Sequence, residues 1–106
     1  LAQPAHLRPQ AVFALSDVMA VGLLHGIREF GLTIPDDVSV VGYDDIEFAA
    51  YTFPPLTTVR QPAVELGATA ARTIIAHLDH ETPLPRSTAI EPKLVIRDSV
   101  VKPSRN

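Results

Sequence analysis

A chain of 106 residues that is 46% hydrophobic and 20% charged has the make-up of an ordinary folded domain, which excludes a disordered or fibrous class. Nine basic against twelve acidic side chains leave a formal charge of −3, so there is no broad basic face for a phosphate backbone and direct nucleic-acid contact is not expected of these residues. With no cysteine there is neither a disulfide scaffold nor a thiolate metal site, and no apolar run approaches the roughly 20 residues of a membrane span.

Leu1-Ala2-Gln3-Pro4 lacks the charged and apolar parts of a signal peptide. At this length roughly two-thirds of the unfolded surface can be buried, enough for one core but not for two complete lobes with a cleft between them. A fragment of a larger fold is therefore expected. Residues 1–10, with Pro4 and Pro9 and no periodic pattern, look like the end of an earlier element followed by a loop.

Ala11-Val12-Phe13-Ala14-Leu15 is a short continuous apolar run, predicted to be a strand buried on both faces. Ser16 stops it as a helix N-cap, and Asp17 falls where a carboxylate favours the positive end of a helix dipole. A helix is predicted from Asp17 to Phe30, ended by Gly31 in a left-handed cap. Its apolar residues make two stripes. Ala20, Leu23, Ile27 and Phe30 pack on the sheet, while Val21 and Leu24, edged by His25 and Arg28, are either covered by another part of the fold or face a partner chain.

After the connector Leu32 to Asp37 comes a second buried strand, Val38-Ser39-Val40-Val41-Gly42, which opens onto Tyr43, Asp44 and Asp45. Strand, helix and strand form a βαβ unit with parallel strands and a right-handed crossover. Open α/β sheets hold ligands beyond the carboxyl ends of their strands, so Tyr43, Asp44 and Asp45 are expected to form the lip of a crevice, with Ser16 at the end of the neighbouring strand. Asp44 suits a sugar, because a carboxylate that accepts two hydroxyl hydrogen bonds grips strongly and discriminates epimers. Each of these residues also has a plain structural use: Asp44 and Asp45 as turn carboxylates capping the next short helix, Ser16 as an N-cap alone, and Tyr43 as a wedge between strand and helix.

Ile46 to Tyr51 is predicted as a helical turn halted by Pro54-Pro55, and Leu56-Thr57-Thr58-Val59 as a third strand. A second helix starts at Pro62, with Glu65 near its positive end. Its stripe of Ala63, Leu66, Ala70, Ile74 and Leu78 is small in side chain and implies close packing on another element. Ser87 to Ile90 and Lys93 to Ile96 alternate about Pro92 as a kinked or edge strand, and residues 100–106 form a solvated tail. His77 and His80 lie three apart without a third ligand, too little for a metal site, and no metal or cofactor is expected. No nucleophile stands beside a base, and adjacent Asp44 and Asp45 point to opposite sides of an extended chain, so no catalytic residues are assigned and an enzyme is not expected.

Read together, Ala11 to Gly22, the phrase IPDDVSVVGYDD, and PPLTTVRQP followed by Glu65-Leu66-Gly67 resemble the carboxyl-terminal part of bacterial lactose-repressor/galactose-repressor (LacI/GalR) transcriptional regulators over residues 9 to about 99. The resemblance implies an α/β, Rossmann-like parallel sheet with flanking helices, part of a periplasmic-binding-protein-like type I effector domain. By the same resemblance residues 1–60 belong to its carboxyl-terminal lobe, 61–90 to the hinge crossing and a helix of the amino-terminal lobe, and 91–99 to a strand that returns. Asp44 resembles the effector-gripping carboxylate and Ser16 a second contact, at a position where many relatives carry asparagine. Gln61 is implied as a third contact or hinge sensor. Val21, Leu24 and Arg28 fall where such regulators pair as homodimers. The family further implies a small-molecule effector of the sugar class and operator DNA bound by an amino-terminal helix-turn-helix outside these residues, hence a cytoplasmic protein with no membrane role. The alternative is a periplasmic sugar receptor of a transporter with the same fold.

Overall fold

Local signals decide where each element starts and stops. In the computed structural model, which describes residues 1–80 and 82–103, strand β1 spans Ala11–Phe13, helix α1 Asp17–Glu29 and strand β2 Ser39–Asp44. Strand β3 covers Thr57–Arg60, helix α2 Ala63–His80 and strand β4 Lys93–Val95. The Ser16 hydroxyl accepts the Met19 N–H at 3.2 Å, so the predicted N-cap satisfies one of the free donors of the α1 start. At the other end Gly31 takes φ +72°, and the N–H groups of Gly31 and Leu32 donate back to the carbonyls of Arg28 and Ile27, closing a Schellman cap. Between β2 and β3 the predicted helical turn is a 3₁₀ turn, Glu47–Tyr51.

The sheet runs β1-β2-β3-β4. Phe13 lies opposite Val41 and Val41 opposite Thr57, in parallel register throughout β1-β2 and β2-β3. The chain falls into two compact units, one made of Leu1–Arg60 and the stretch from Leu94, the other of Gln61–Lys93.

The first unit contains the core. Ala20, Leu24 and Ile27 of α1 meet Val38, Val40, Ala49 and Leu56, all buried. The buried line of α1 is Asp17, Ala20, Leu24 and Ile27, the 3-4-3 spacing of one helical face. This corrects the expected division of its stripes. Leu24 is core, at 3% exposure, while Phe30, placed on the core face by pattern, is exposed, because the buried face is phased by a carboxylate at Asp17 that an apolar count passes over.

Two strand expectations are corrected as well. β1 is not buried on both faces: Ala11 and Phe13 are exposed and Val12 is half-buried, because α1 covers one face and Phe13 sits on the other. The alternating stretch about Pro92 forms a strand only over Lys93–Val95, and Ser87 to Ile90 forms none. The carboxyl-terminal stretch is bound rather than loose as far as Val101, whose N–H donates to Ser39 Oγ at 3.1 Å. Ser99, fully buried, donates its hydroxyl to the Val40 carbonyl at 2.6 Å and accepts the Thr57 N–H at 2.8 Å, stitching the starts of β2 and β3. The end of the expected tail, residues 104–106, lies outside the described residues.

In the second unit α2 runs for 18 residues with none of them buried. Val64, Ile74, Ile75 and Leu78 are all more than half exposed, so among the described residues the packing implied by the small-residue stripe is not made.

Candidate functional site

The parallel register brings the carboxyl ends of β1 and β2 to the same end of the sheet, with Ser16 in the turn from β1 into α1 and Asp44 the last residue of β2. A buried carboxylate, for which the sequence predicts only a helix-dipole role, holds this end of the sheet together. Asp17 is fully buried, and its two oxygens are shared: Oδ1 accepts the Thr58 hydroxyl at 2.5 Å, and Oδ2 accepts the Ile46 N–H at 2.9 Å. One side chain thus ties the β1-α1 turn to β3 and to the loop that leaves β2. A buried carboxylate is costly unless its lone pairs are filled, and here both oxygens have donors.

Gly42 is part of the same device. A Cβ there would run into Asp17 Oδ1 and Leu56 Cδ2, so the glycine that interrupts the apolar run of β2 makes room for the carboxylate.

The loop after β2 has unusual backbone. Asp44 has φ +123° and Asp45 φ +58°, both in a region that side chains rarely adopt. Asp45 is not the cap of the following turn. Its carboxylate, 7% exposed, accepts from Arg60 Nε at 2.7 Å through Oδ2 and from an Arg97 terminal nitrogen at 2.8 Å through Oδ1. Burial alone would raise its pKa, but the hydrogen bonds from Arg60 and Arg97, with the charges of the two guanidiniums, outweigh that and hold it below the ordinary carboxylate value.

Tyr43 lies on the face of the sheet away from Asp17, where its ring meets Phe13 edge-on with centroids 6.5 Å apart. Gln61 is the first residue of the other unit, directly after Arg60, which pairs with Asp44 in the β2-β3 ladder. His77 Nδ1 lies 2.6 Å from the Thr82 carbonyl, a local contact at the end of α2.

A second feature lies on the outer side of α1. Val21, His25 and Arg28 line a groove of about 220 Å³ with Phe48, Tyr51 and Phe53, and Leu24 forms its floor. Tyr51 and Phe53 are 74% and 80% exposed, and the Arg28 guanidinium stands over the Phe53 ring at 4.9 Å. Of the residues expected at a dimer contact, Val21 and Arg28 therefore present surface, whereas Leu24 is spent in the core. The aromatic residues were not singled out from sequence; their signal is the run Phe48 to Phe53, too irregular for helical or strand periodicity.

Residues 1–100 match the family described as periplasmic binding protein-like domain. The ribose operon repressor of Haemophilus influenzae is 45% identical over 93 residues, which cover 88% of this chain and 28% of the repressor. Among solved structures, the transcriptional regulator CelR in complex with cellobiose superposes with a TM-score of 0.80 at 40% identity, over 85% of this chain and 28% of that one. The lac repressor dimer bound to operator and an anti-inducer gives 0.82 at 33% identity, over 88% and 32%. The chain thus spans just over a quarter of the length of such a curated relative. No helix among the described residues is long and apolar enough to cross a membrane. The parallel sheet and these matches agree, and the chain belongs to the periplasmic binding protein-like domain family, in the form carried by LacI/GalR-type transcriptional regulators.

Proposed function

We propose that the chain is the effector-binding and dimerisation part of a cytoplasmic, DNA-binding transcriptional repressor. Its effector is a sugar or sugar-like metabolite held at the sheet edge by Asp44 and Ser16, with Gln61 and Tyr43 as further contacts. Operator DNA is contacted by a helix-turn-helix outside these residues, in keeping with their net charge of −3. The remainder of the amino-terminal lobe covers the apolar stripe of α2. Effector acts by binding one relative orientation of the lobes better than another, and a homodimer passes that preference to the DNA heads.

The observation that carries this reading is the polar edge itself. Asp17 ties the β1-α1 turn, which includes Ser16, to β3 and to the loop that follows Asp44, and this supports a carboxylate and a hydroxyl at the ends of adjacent parallel strands as the effector grip. The similarity to a cellobiose-bound regulator supports a sugar, and the relatives named above are repressors or regulators rather than transport receptors. The groove beside α1 supports a homodimer contact through Val21 and Arg28, with Tyr51 and Phe53 supplying exposed aromatic area of the kind enriched at interfaces.

A thermal-shift screen of the intact protein against sugars, beginning with cellobiose, identifies the ligand. Replacing Asp44 by Ala should then weaken its affinity by about 1.5–3 kcal/mol, the scale of a charged hydrogen bond. An unchanged affinity by titration calorimetry would remove Asp44 from the site.

A further inference from the structure

The chain passes between its two units twice, from Arg60 to Gln61 and back from Lys93 to Leu94. Asp45 grips the first unit's side of both crossings. Arg60 is the last residue before the outward crossing, and Arg97 comes three residues after Leu94, where the chain has returned. Arg97 is itself well seated: its guanidinium donates to the Leu56 carbonyl at 2.9 Å and its backbone N–H to Thr57 Oγ1 at 2.9 Å. A single carboxylate thus joins the end of β3, through Arg60, to the segment after β4, through Arg97.

We propose that Asp45 is a positioning residue that clamps the two crossing segments to each other and to the loop carrying Asp44, so that the grip on effector and the setting of the hinge are mechanically one unit. The inference rests on the effector-site reading only in the role given to Asp44; the clamp itself stands on the two ion pairs. Asp44 and Asp45 both hold positive φ, a conformation that persists only where its surroundings over-determine it. Here the loop is pinned on one side by the two arginines on Asp45 and on the other by the Ile46 N–H on Asp17. Without the Asp45 contacts the backbone is released toward ordinary φ values, which shifts Asp44 and loosens both crossings together.

The lack of cysteine in this chain makes spin labelling direct. Nitroxides at Asp36→Cys in the first unit and Asp79→Cys in the second, in intact protein freed of any other cysteine and mixed with excess unlabelled copies, report by pulsed electron paramagnetic resonance the spread of distances between the units. Asp45→Asn should widen that distribution by at least about 1.5-fold, as a hinge released at both strands does. Arg60→Gln, at a guanidinium already half exposed and so safe for folding, should widen it in the same sense, and the double variant should be no wider than Asp45→Asn alone. Thermal unfolding of each variant separates this from loss of fold, since lowered stability by itself leaves the folded distribution unchanged. Widths within about 1.5-fold of the parent for both single variants, or additive widening in the double, overturn the clamp. No ligand enters the measurement, so failure to find a sugar effector leaves it standing, and an unchanged width leaves Asp44 as an effector contact.

Discussion

Helices α1 and α2 carry comparable apolar stripes, yet α1 buries Ala20, Leu24 and Ile27 while the longer α2 buries nothing. The difference lies in what each has beside it. α1 sits between two strands of its own βαβ unit, so its partner sheet is guaranteed by chain connectivity. α2 follows a crossing into the other unit, where the described residues form no second βαβ unit. Amphipathic pattern states that a face is meant to be covered, and it says nothing about whether the cover is in the same stretch of chain.

The largest effect expected from this contrast is in stability. In the 106-residue chain Ile27→Ala, at a fully buried site, should cost about 2–5 kcal/mol, while Ile74→Ala on α2 should stay within about 0.5 kcal/mol. Denaturant melts followed by circular dichroism measure both, and equal costs would break the comparison. In the intact protein the Ile74 value should rise to the core scale, because the proposed remainder of the amino-terminal lobe then lies over it.

The outer surface of α1 sharpens the contrast. Val21 stands on the rim of the aromatic groove and outside the core, so Val21→Asp should leave the melting of the first unit nearly unchanged and shift the intact protein from dimer towards monomer in sedimentation velocity. A dimer of unaltered stability would take the groove out of the interface. Leu24→Asp is no substitute, since a charge there enters the core and unfolds the unit first.

How much of this was legible in the sequence follows the range of the interactions concerned. The Ser16 cap, the Gly31 stop, the β2 run and the 3₁₀ turn rest on contacts only a few residues apart, and each was placed from local signals. That β1 and β2 end side by side was legible for a related reason, because a βαβ unit fixes which strand ends meet. The groups that secure the edge were not. Asp17 reaches Thr58 across 41 positions, Arg97 reaches Asp45 across 52 and Ser99 reaches Val40 across 59, and no periodicity encodes such pairings. Leu24 joins the core on the same helical face as the buried Asp17, and the need for glycine at Gly42 lies in the room that this carboxylate takes, neither of which an apolar count shows.

The smallest expected effect concerns the Asp45 ion pairs, on the first unit's side of both crossings. Asp45 titrates below its ordinary value in the fold, so its ion pairs add stability that is present above the unfolded carboxylate pKa of about 4 and is lost as pH falls through the lower folded value. The gap in melting temperature between parent and Asp45→Asn should therefore be constant at neutral and mildly acidic pH and close progressively below about pH 4. The Arg60 guanidinium is more than half exposed, so solvent and salt screen that arm of the clamp and the gap stays modest. Added salt should narrow it, and the portion that survives screening belongs to Arg97, whose side chain is only 18% exposed. A gap that widens on acidification would mean that the carboxylate is held above its ordinary value, with burial outweighing the two arginines. The loop after β2 would then be a site of strain that Asp45 worsens, and its anchoring within the first unit would fall to the Ile46 N–H on Asp17.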